Sequence, residues 1–356
     1  MDRVEALTVD ICRAYVTGDS ASADFSQLDA QSWARLCDAC AAHGLTAIGY
    51  AVAGEALAAN AQARSVKLRW ALSAERVTAR YLRQHALADE VGRLLSAAGI
   101  DAVVFKGFAL SRYYRSPEHR EQGDIDIYTG RDMERGSAVL AAAGARIEAV
   151  TLKNTHIIYK GLMIENHRST TDARGRRDNR EFESLMRRLL RSGEGCECAE
   201  GVHVSLPPVM FTALHTLRHA LHHYLWEGIA LRHLLDWALL VEAEQERIDW
   251  PQFYALCERY RLRRFADALT AIAVDRFGVR LRQGGITRDP LLGDRILSDV
   301  AADRRFADRN RRRTRLSTVR CFIRGRWKFR RICGRGFLAE MFYVAKGALF
   351  ERRLKV

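Results

Sequence analysis

Residues 103–126, VVFKGFALSRYYRSPEHREQGDID, decide the fold of this chain. They predict a strand, a tight turn at Gly107, a short helix, and a second strand that carries two aspartates one residue apart. Because side chains alternate along a strand, Asp124 and Asp126 project from the same face, with Cα atoms roughly 7 Å apart. Ile125, between them, points into the core. Two adjacent carboxylates repel each other, so the pattern predicts a hard divalent cation, usually Mg²⁺, between them.

A predicted hairpin further along the chain supplies a third carboxylate. Residues 155–160 and 162–167 have the composition of strands, and Gly161 separates them as in a tight hairpin turn. We expect the second of these strands to lie beside the aspartates and to bring Glu165 to them. Glu165 would then act as a third metal ligand, or as the base that takes a proton from an attacking hydroxyl.

The remainder of the chain has the periodicity of helices. Apolar residues recur at helical spacing before residue 100 and again after about residue 180, while strand-like runs are confined to the middle. The chain therefore predicts an α+β fold, in which N-terminal helices and a C-terminal helical bundle flank a small mixed sheet. We place the boundaries of the helical region, the sheet core, the helical domain and a basic aromatic tail at 1–100, 101–206, 207–303 and 304–356.

Positive charge is concentrated at the C-terminal end. The chain has a net charge of +14, and residues 304–356 contain 18 Lys and Arg against three acidic residues, so the body is nearly neutral. Arginines interleaved with aromatic residues predict a tail that binds an anionic membrane surface. Nucleic acid is a less favoured partner for this composition, and the third interpretation is a tail that packs its aromatic residues on the body.

Composition also predicts the compartment. No stretch approaches the ~18 consecutive apolar residues of a membrane span, and no signal peptide is recognisable at Met1. The eight cysteines are scattered, as expected for reduced thiols, and the single CxxC at Cys37 and Cys40 has no second pair to complete a zinc site. We therefore expect a cytoplasmic protein, which the basic tail could hold at the inner face of the membrane.

One predicted helix is rich in histidine. His215, His219 and His223 are spaced i, i+4, i+8, with His222 beside them and His233 on the next helix. This spacing is compatible with a zinc site, but no carboxylate or cysteine on the same helix completes one. Contact with a nucleotide or an acceptor is a second interpretation, and histidines that face the cleft or pack between helices are the favoured one.

Four motifs, in this order, resemble the nucleotidyltransferase superfamily, and most of all its bacterial branch of uncharacterised members. They are the FKG turn at 105–107, the R-x-x-G-D-I-D strand at 120–126, the IENH strand at 164–167, and the histidine-rich helical segment at 214–240. One departure concerns the turn, because better studied branches have Gly-Gly or Gly-Ser where this chain has Lys106 and Gly107.

The resemblance implies a metal-dependent enzyme. Such an enzyme uses Mg²⁺ (or Mn²⁺) to move a nucleoside monophosphate from an NTP to a hydroxyl acceptor, here in surface-polysaccharide, small-molecule or peptide modification. The implied catalytic residues and metal ligands are Asp124, Asp126 and Glu165. The implied nucleotide contacts are Lys106, Gly107, Arg120, Gly123 and His167.

Three alternatives stay open. Arg120 could pair with Asp124 or Asp126 and neutralise them instead of meeting a phosphate. The protein could be a non-catalytic scaffold that keeps the nucleotidyltransferase fold at a membrane-associated assembly. It could also be a toxin-like enzyme that modifies tRNA ends or a partner protein.

Overall fold

The computed structural model describes residues 1–171, 177–191, 197–198, 201–302, 325–334, 336–340 and 342. Most of the tail predicted at 304–356 lies outside the described residues, as does Cys196. The fold is α+β, as predicted, with one mixed sheet between two groups of helices.

Four helices make up the first hundred residues, as the periodicity predicts. The first begins at a capping box, in which the Asp2 carboxylate accepts from the Glu5 amide and the Glu5 side chain accepts from the Asp2 amide. It ends at Gly18, which has a left-handed backbone with φ of 77°. The helices are α1 (Arg3–Thr17), α2 (Ala30–Ala42), α3 (Thr46–Ala59) and α4 (Arg64–Ala97).

The sheet has seven strands in the order β3-β4-β5-β2-β1-β7-β6. The pairs β2–β5 and β1–β7 are parallel, and the other neighbours are antiparallel, so the sheet is mixed. The strands are β1 (Val103–Phe105), β2 (Ile125–Tyr128), β3 (Arg146–Val150), β4 (Asn154–Tyr159), β5 (Leu162–His167), β6 (Glu197–Cys198) and β7 (Ser205–Leu206).

The β4–β5 hairpin forms as predicted, but its turn has two residues, because Lys160, placed in the first strand by the prediction, belongs to the turn with Gly161. Lys160 and Gly161 both have positive φ, 49° and 75°, which is the backbone of a type I′ turn between antiparallel strands. The edge strand β3 was not predicted, because all five of its residues are exposed and no buried face leaves an alternating pattern.

The second half of the chain is helical, as predicted, and contains one helix that we did not predict. That helix, α12 (Pro290–Ala301), begins at an Asp289 cap that accepts from the Leu292 amide. Within the core, the short helix predicted after the turn spans Gly107–Ser111. The helices are α5 (Gly107–Ser111), α6 (Met133–Ala142), α7 (Arg177–Arg191), α8 (Val209–Trp226), α9 (Leu231–Glu244), α10 (Trp250–Arg259), α11 (Arg263–Asp275) and α12.

Two hydrophobic cores cover the two faces of the sheet. One face carries Val104, Ile125, Ile127 and Ile164, which pack with the second half of α4 and with α6. The other face carries Phe105 and joins a larger core, to which α1–α4 and α8–α12 both contribute. The helices before residue 100 and after residue 207 thus share a core, while the four-part division into domains remains a prediction.

A buried ion pair joins the sheet core to the helical bundle. Arg120 donates from Nε and Nη2 to the two carboxylate oxygens of Asp236 on α9, both at 2.8 Å, and the Tyr114 hydroxyl donates to the same carboxylate at 2.7 Å. Arg120 and Asp236 are 5% and 3% exposed. The expectation that Arg120 pairs with Asp124 or Asp126 is therefore wrong, because a carboxylate on α9 meets both arms of its guanidinium fork.

Part of the tail packs on the body. In the helical segment 325–333, Phe329 is buried beside Trp226, and Lys328 donates to the Tyr224 carbonyl and pairs with Asp299. The arginines of this segment remain exposed: Arg326, Arg330 and Arg331. This segment therefore follows the third interpretation of the tail, with its aromatic side inward and its basic side outward. No helix in the described residues has the length and hydropathy to cross a bilayer.

The Arg120–Asp236 pair generates the first prediction. Asp236→Asn should lower the free energy of unfolding by about 3–5 kcal/mol, because it leaves the Arg120 charge buried without its partner. The matched control is Asp294→Asn, which breaks the exposed pair with Arg276 and should cost less than about 1 kcal/mol. Urea unfolding of both variants measures the difference, and equal losses would contradict the structural role of the pair.

Candidate active site

Strand register brings the predicted carboxylates together. In the pairing of β1, β2 and β5, Asp126 lies opposite Phe105 on one side and opposite Glu165 on the other. Directly opposed residues point to the same face, so Asp126 and Glu165 share the face that α8 covers. Asp124 immediately precedes β2 and is partly buried at the strand end. The sheet thus positions three carboxylates from two neighbouring strands.

Asp126 is the centre of a close set of polar contacts. Its Oδ1 contacts the Lys106 ammonium and lies 2.8 Å from His167 Nε2, which is also 3.2 Å from Glu165 Oε2. Lys106 Nζ lies 3.8 Å from the same Glu165 oxygen, and Asn154 Nδ2 donates to it at 3.0 Å. Asp126, Glu165 and His167 each offer one possible metal-ligand atom. These three atoms lie within 4.8 Å of one another, a spacing that could hold a metal ion.

The turn that carries Lys106 is strained. Lys106 has φ of 56° and ψ of −129°, a backbone that residues with a side chain rarely adopt and that costs on the order of 1–3 kcal/mol. The next residue must be glycine for a different reason. A Cβ at Gly107 would lie 2.7 Å from Arg120 Nη1 and 3.1 Å from Gln122 Oε1. The strain therefore falls where the Lys106 side chain is directed to the carboxylates.

The carboxylates differ in their ionisation. Burial, and then the neighbouring charge of Asp126, raise the pKa of Asp124 to about 6. Burial alone would also raise the pKa of Asp126, but the Lys106 charge and the His167 hydrogen bond outweigh it and lower the pKa. The charge of Asp126 is thus compensated and that of Asp124 is not, so the site favours a further cation.

A cavity of about 100 Å³ adjoins the carboxylates on the side of α8 and α9. Burial, and then the charge of a nearby lysine or arginine, lower the pKa of His215 and His233 to about 3 and that of His219 well below its usual value. These histidines are therefore neutral at pH 7. The lining consists of Lys106, Gly107, Leu110, Arg120, Gln122, Gly123, Asp124, Asp126, His215, Thr216, His219, Ala220, Arg232, His233 and Asp236.

The histidine-rich helix does not form a metal cluster in the described residues. His215 stacks on Phe211 and lies 3.1 Å from the Thr170 carbonyl through Nε2, and His219 stacks on His215. These contacts fit the favoured interpretation, in which the histidines pack between elements and face the cleft. His215, His219 and His233 line the cavity, so they are also placed to contact a ligand there.

The predicted site residues have different surroundings. The structure brings together the residues predicted on β2, on β5 and in the first turn: Asp124, Asp126, Glu165, His167, Lys106 and Gly107. Gly123 lies on the exposed rim, and no atom lies within 4 Å of a Cβ built there. Arg120 also lines the cavity, but its fork is bound to Asp236.

Among the lining residues that were not singled out from the sequence, two are charged and one carries an amide: Arg232, Asp236 and Gln122. Gln122 lies inside the R-x-x-G-D-I-D motif at a position that the motif leaves unspecified. The two α9 residues lie in the segment that resembles the family, but nothing in local spacing indicates that they reach the sheet.

The donor set fits a divalent cation. Carboxylate oxygens are the ligands that Mg²⁺ prefers, and the imidazole of His167 is compatible with Mn²⁺ as well. The Lys106 ammonium, placed between Asp126 and Glu165, is a cation in contact with the same oxygens. Asp126, Glu165 and His167 have the spacing that could hold the metal, and Asp124, predicted as a further ligand, immediately precedes β2.

Lys106 generates the second prediction. Lys106→Met should lower the stability of the metal-free protein by about 3–5 kcal/mol, because three carboxylates lose their buried counter-charge. Mg²⁺ or Mn²⁺ should then raise the melting temperature more in the variant than in the wild type, since it supplies the missing positive charge. Thermal unfolding with and without each metal measures both effects.

Lys160→Met is the matched control for this prediction. Lys160 is also a lysine with positive φ and is also paired with a glutamate, Glu90, but the pair is at the surface and away from the cavity. Its loss should change stability by less than about 1 kcal/mol and leave the metal response unchanged. An equal metal response in wild type and Lys106→Met would contradict the assignment of these carboxylates to a cation.

Comparison with known proteins places the chain in a family. The model of a family described as uncharacterised nucleotidyltransferase matches residues 29–278, most of the chain, and confirms the resemblance predicted from the motifs. A search of curated proteins finds no match.

Two solved structures are similar over about half of this chain. The solution structure of the antibiotic-resistance factor ANT(2″)-Ia is 12% identical, with a TM-score of 0.37, and covers 52% of this chain and 95% of its own. A crystal structure of ANT(2″)-Ia in complex with adenylyl-2″-tobramycin is 10% identical, with a TM-score of 0.36, and covers 50% and 97%.

Proposed function

The chain belongs to the family of uncharacterised nucleotidyltransferases, a family of enzymes, and we propose that it transfers a nucleoside monophosphate from an NTP to a hydroxyl acceptor with Mg²⁺ or Mn²⁺. The observation that carries this proposal is the register of β2 and β5. It sets Asp126 directly opposite Glu165, with Asp124 at the strand end. The three carboxylates form one acidic site on a rigid sheet, beside the turn at Gly107.

The chain's own residues divide the work of such a reaction. Asp124, Asp126 and Glu165 would hold the metal, which when bound neutralises phosphate charge and stabilises the leaving pyrophosphate. Gly107 lines the cavity next to Asp124 and Asp126, which supports its predicted place beside the phosphates. The Lys106 ammonium would meet the triphosphate as a point charge once its carboxylate partners bind the metal.

Glu165 fits the role of ligand better than that of base. Burial would raise its pKa, but the hydrogen bond with His167 outweighs this and lowers the pKa. The same carboxylate accepts from Asn154. A carboxylate held ionised by two donors is a weak proton acceptor and a good cation ligand. Of the two roles predicted from the sequence, we therefore propose the first.

For the acceptor and for the partner of the tail, we propose only a chemical class. We propose a hydroxyl acceptor on a sugar, lipid-linked glycan, small molecule or protein. We also keep the prediction that the tail meets an anionic membrane surface, because Arg326, Arg330 and Arg331 are exposed on the described segment. Binding of purified protein to vesicles with and without anionic lipid tests this part separately.

The catalytic proposal yields the third prediction. Purified protein should release pyrophosphate from one or more NTPs in the presence of Mg²⁺ or Mn²⁺, and label from α-labelled NTP should reach an acceptor. Asp126→Asn and Glu165→Gln should each reduce this activity by about 100-fold or more, because each removes charge at the site where phosphate charge must be balanced.

Two acidic residues outside the cavity lining provide matched controls for these variants. Asp132→Asn, before α6, and Glu148→Gln, on the exposed strand β3, make the same chemical changes away from the cavity. Both should retain wild-type activity. A folded wild-type protein that binds no NTP with either metal would overturn the proposed function, as would full activity in Asp126→Asn.

A further inference from the structure

The cavity beside the carboxylates contains a buried carboxamide without a partner. Gln122 is 9% exposed, and among the described residues neither its Oε1 nor its Nε2 has a hydrogen-bond partner. Arg232 Nε, in the same lining, is also buried and unpartnered. Buried polar groups are normally satisfied, and these atoms line a cavity, so a ligand that enters the cavity can satisfy them.

The charges that line the cavity balance. Three cations, Lys106, Arg120 and Arg232, oppose three carboxylates, Asp124, Asp126 and Asp236. The fork of Arg120 is already bound in both arms to Asp236. The three histidines of the lining add no charge when they are neutral. Two of these carboxylates, Asp124 and Asp126, would bind the metal, and Lys106 would then meet the triphosphate. Arg120 and Asp236 are bound to each other, so the uncharged amide of Gln122 beside them suits an uncharged polar group.

The cavity has room for about one ring. At roughly 10–15 Å³ for each water-sized occupant, about 100 Å³ holds seven to ten such atoms. One sugar ring has this size, and the remainder of a larger substrate would lie outside the cavity. The carboxamide adds a chemical requirement, since it presents a donor and an acceptor together. Neighbouring hydroxyls, each of which both donates and accepts, satisfy it.

We propose that Gln122, with Arg232, binds the hydroxyls of a sugar ring in this cavity. The inference rests on the proposed function and adds a binding residue and a ligand class to the same site. The ring belongs either to the nucleotide or to the acceptor, because both must lie next to the reacting phosphate. In either case Gln122 contacts the substrate beside the turn at Gly107, because its Oε1 lies 3.1 Å from the position of a Cβ built on that glycine.

Gln122→Leu tests this role, with Gln84→Leu as its control. Gln84, on α4, is 0% exposed and has the same unpartnered amide atoms, but it does not line the cavity. Neither variant should lose stability, because each replaces an unsatisfied carboxamide by an apolar side chain of similar size. Only Gln122→Leu should weaken ligand binding, by about 10-fold. A purely structural Gln122 would instead lose stability and binding together.

Two measurements distinguish the source of the ring. The first is the affinity for non-hydrolysable NTP analogues and their 2′-deoxy forms in the presence of Mg²⁺. A loss of affinity in Gln122→Leu, with a smaller preference for ribose over deoxyribose, would assign the ring to the nucleotide. The second is transfer of label from saturating α-labelled NTP to the small molecules of a cell extract. A loss there, with unchanged nucleotide affinity, would assign the ring to the acceptor.

The outcomes that overturn the inference differ from those that overturn the function. Unchanged nucleotide affinity in Gln122→Leu, together with transfer that is unchanged or undetectable, would overturn the sugar site while leaving nucleotide binding in place. Equal losses of binding in Gln122→Leu and Gln84→Leu would also overturn it. Wild-type protein that binds no nucleotide analogue would instead count against the proposed function itself.

Discussion

The architecture of the site depends on negative charge gathered on one face of the sheet. The parallel pairing of β2 and β5 sets Asp126 opposite Glu165 and leaves Asp124 at the strand end. Such a concentration of carboxylates is unfavourable unless cations compensate it. In the protein alone, Lys106 and His167 compensate Asp126, and Asp124 keeps a raised pKa. Both hydrophobic cores pack against the sheet, and the sheet fixes the positions of these carboxylates.

A second, separate ion pair joins the sheet to the helical bundle. Arg120 begins the motif that ends in Asp126, yet it binds Asp236 on α9 and neither Asp124 nor Asp126. Both arms of its guanidinium group are therefore occupied within the protein. The pair lines the same cavity as Asp124, Asp126 and Gln122, so it holds the helical bundle against the residues of the candidate site.

Features set by short-range periodicity could be predicted from the sequence. The aspartate pair, the turn at Gly161 and the position of Glu165 beside Asp126 all follow from alternation along strands. The α+β class follows from where that alternation occurs. The partner of Arg120 lies 116 residues away, and no local pattern indicates it. Strand β3 has no buried face and therefore no signal, and the importance of Gln122 appears only when its surroundings show that its amide has no partner.

Three costs to stability coincide in the site, and together they indicate what the site is built to bind. Lys106 has a strained backbone, Asp124 carries uncompensated charge, and Gln122 is buried without a hydrogen bond. Each cost could be removed by an ordinary substitution, so packing alone does not explain why they occur together. A cation compensates the charge of Asp124. A phosphate can contact Lys106, which the strained backbone positions, and a hydroxyl can hydrogen-bond to Gln122. The ligands of a nucleotidyl transfer reaction would supply all three groups, so the coincidence of these costs at one cavity supports the proposed function.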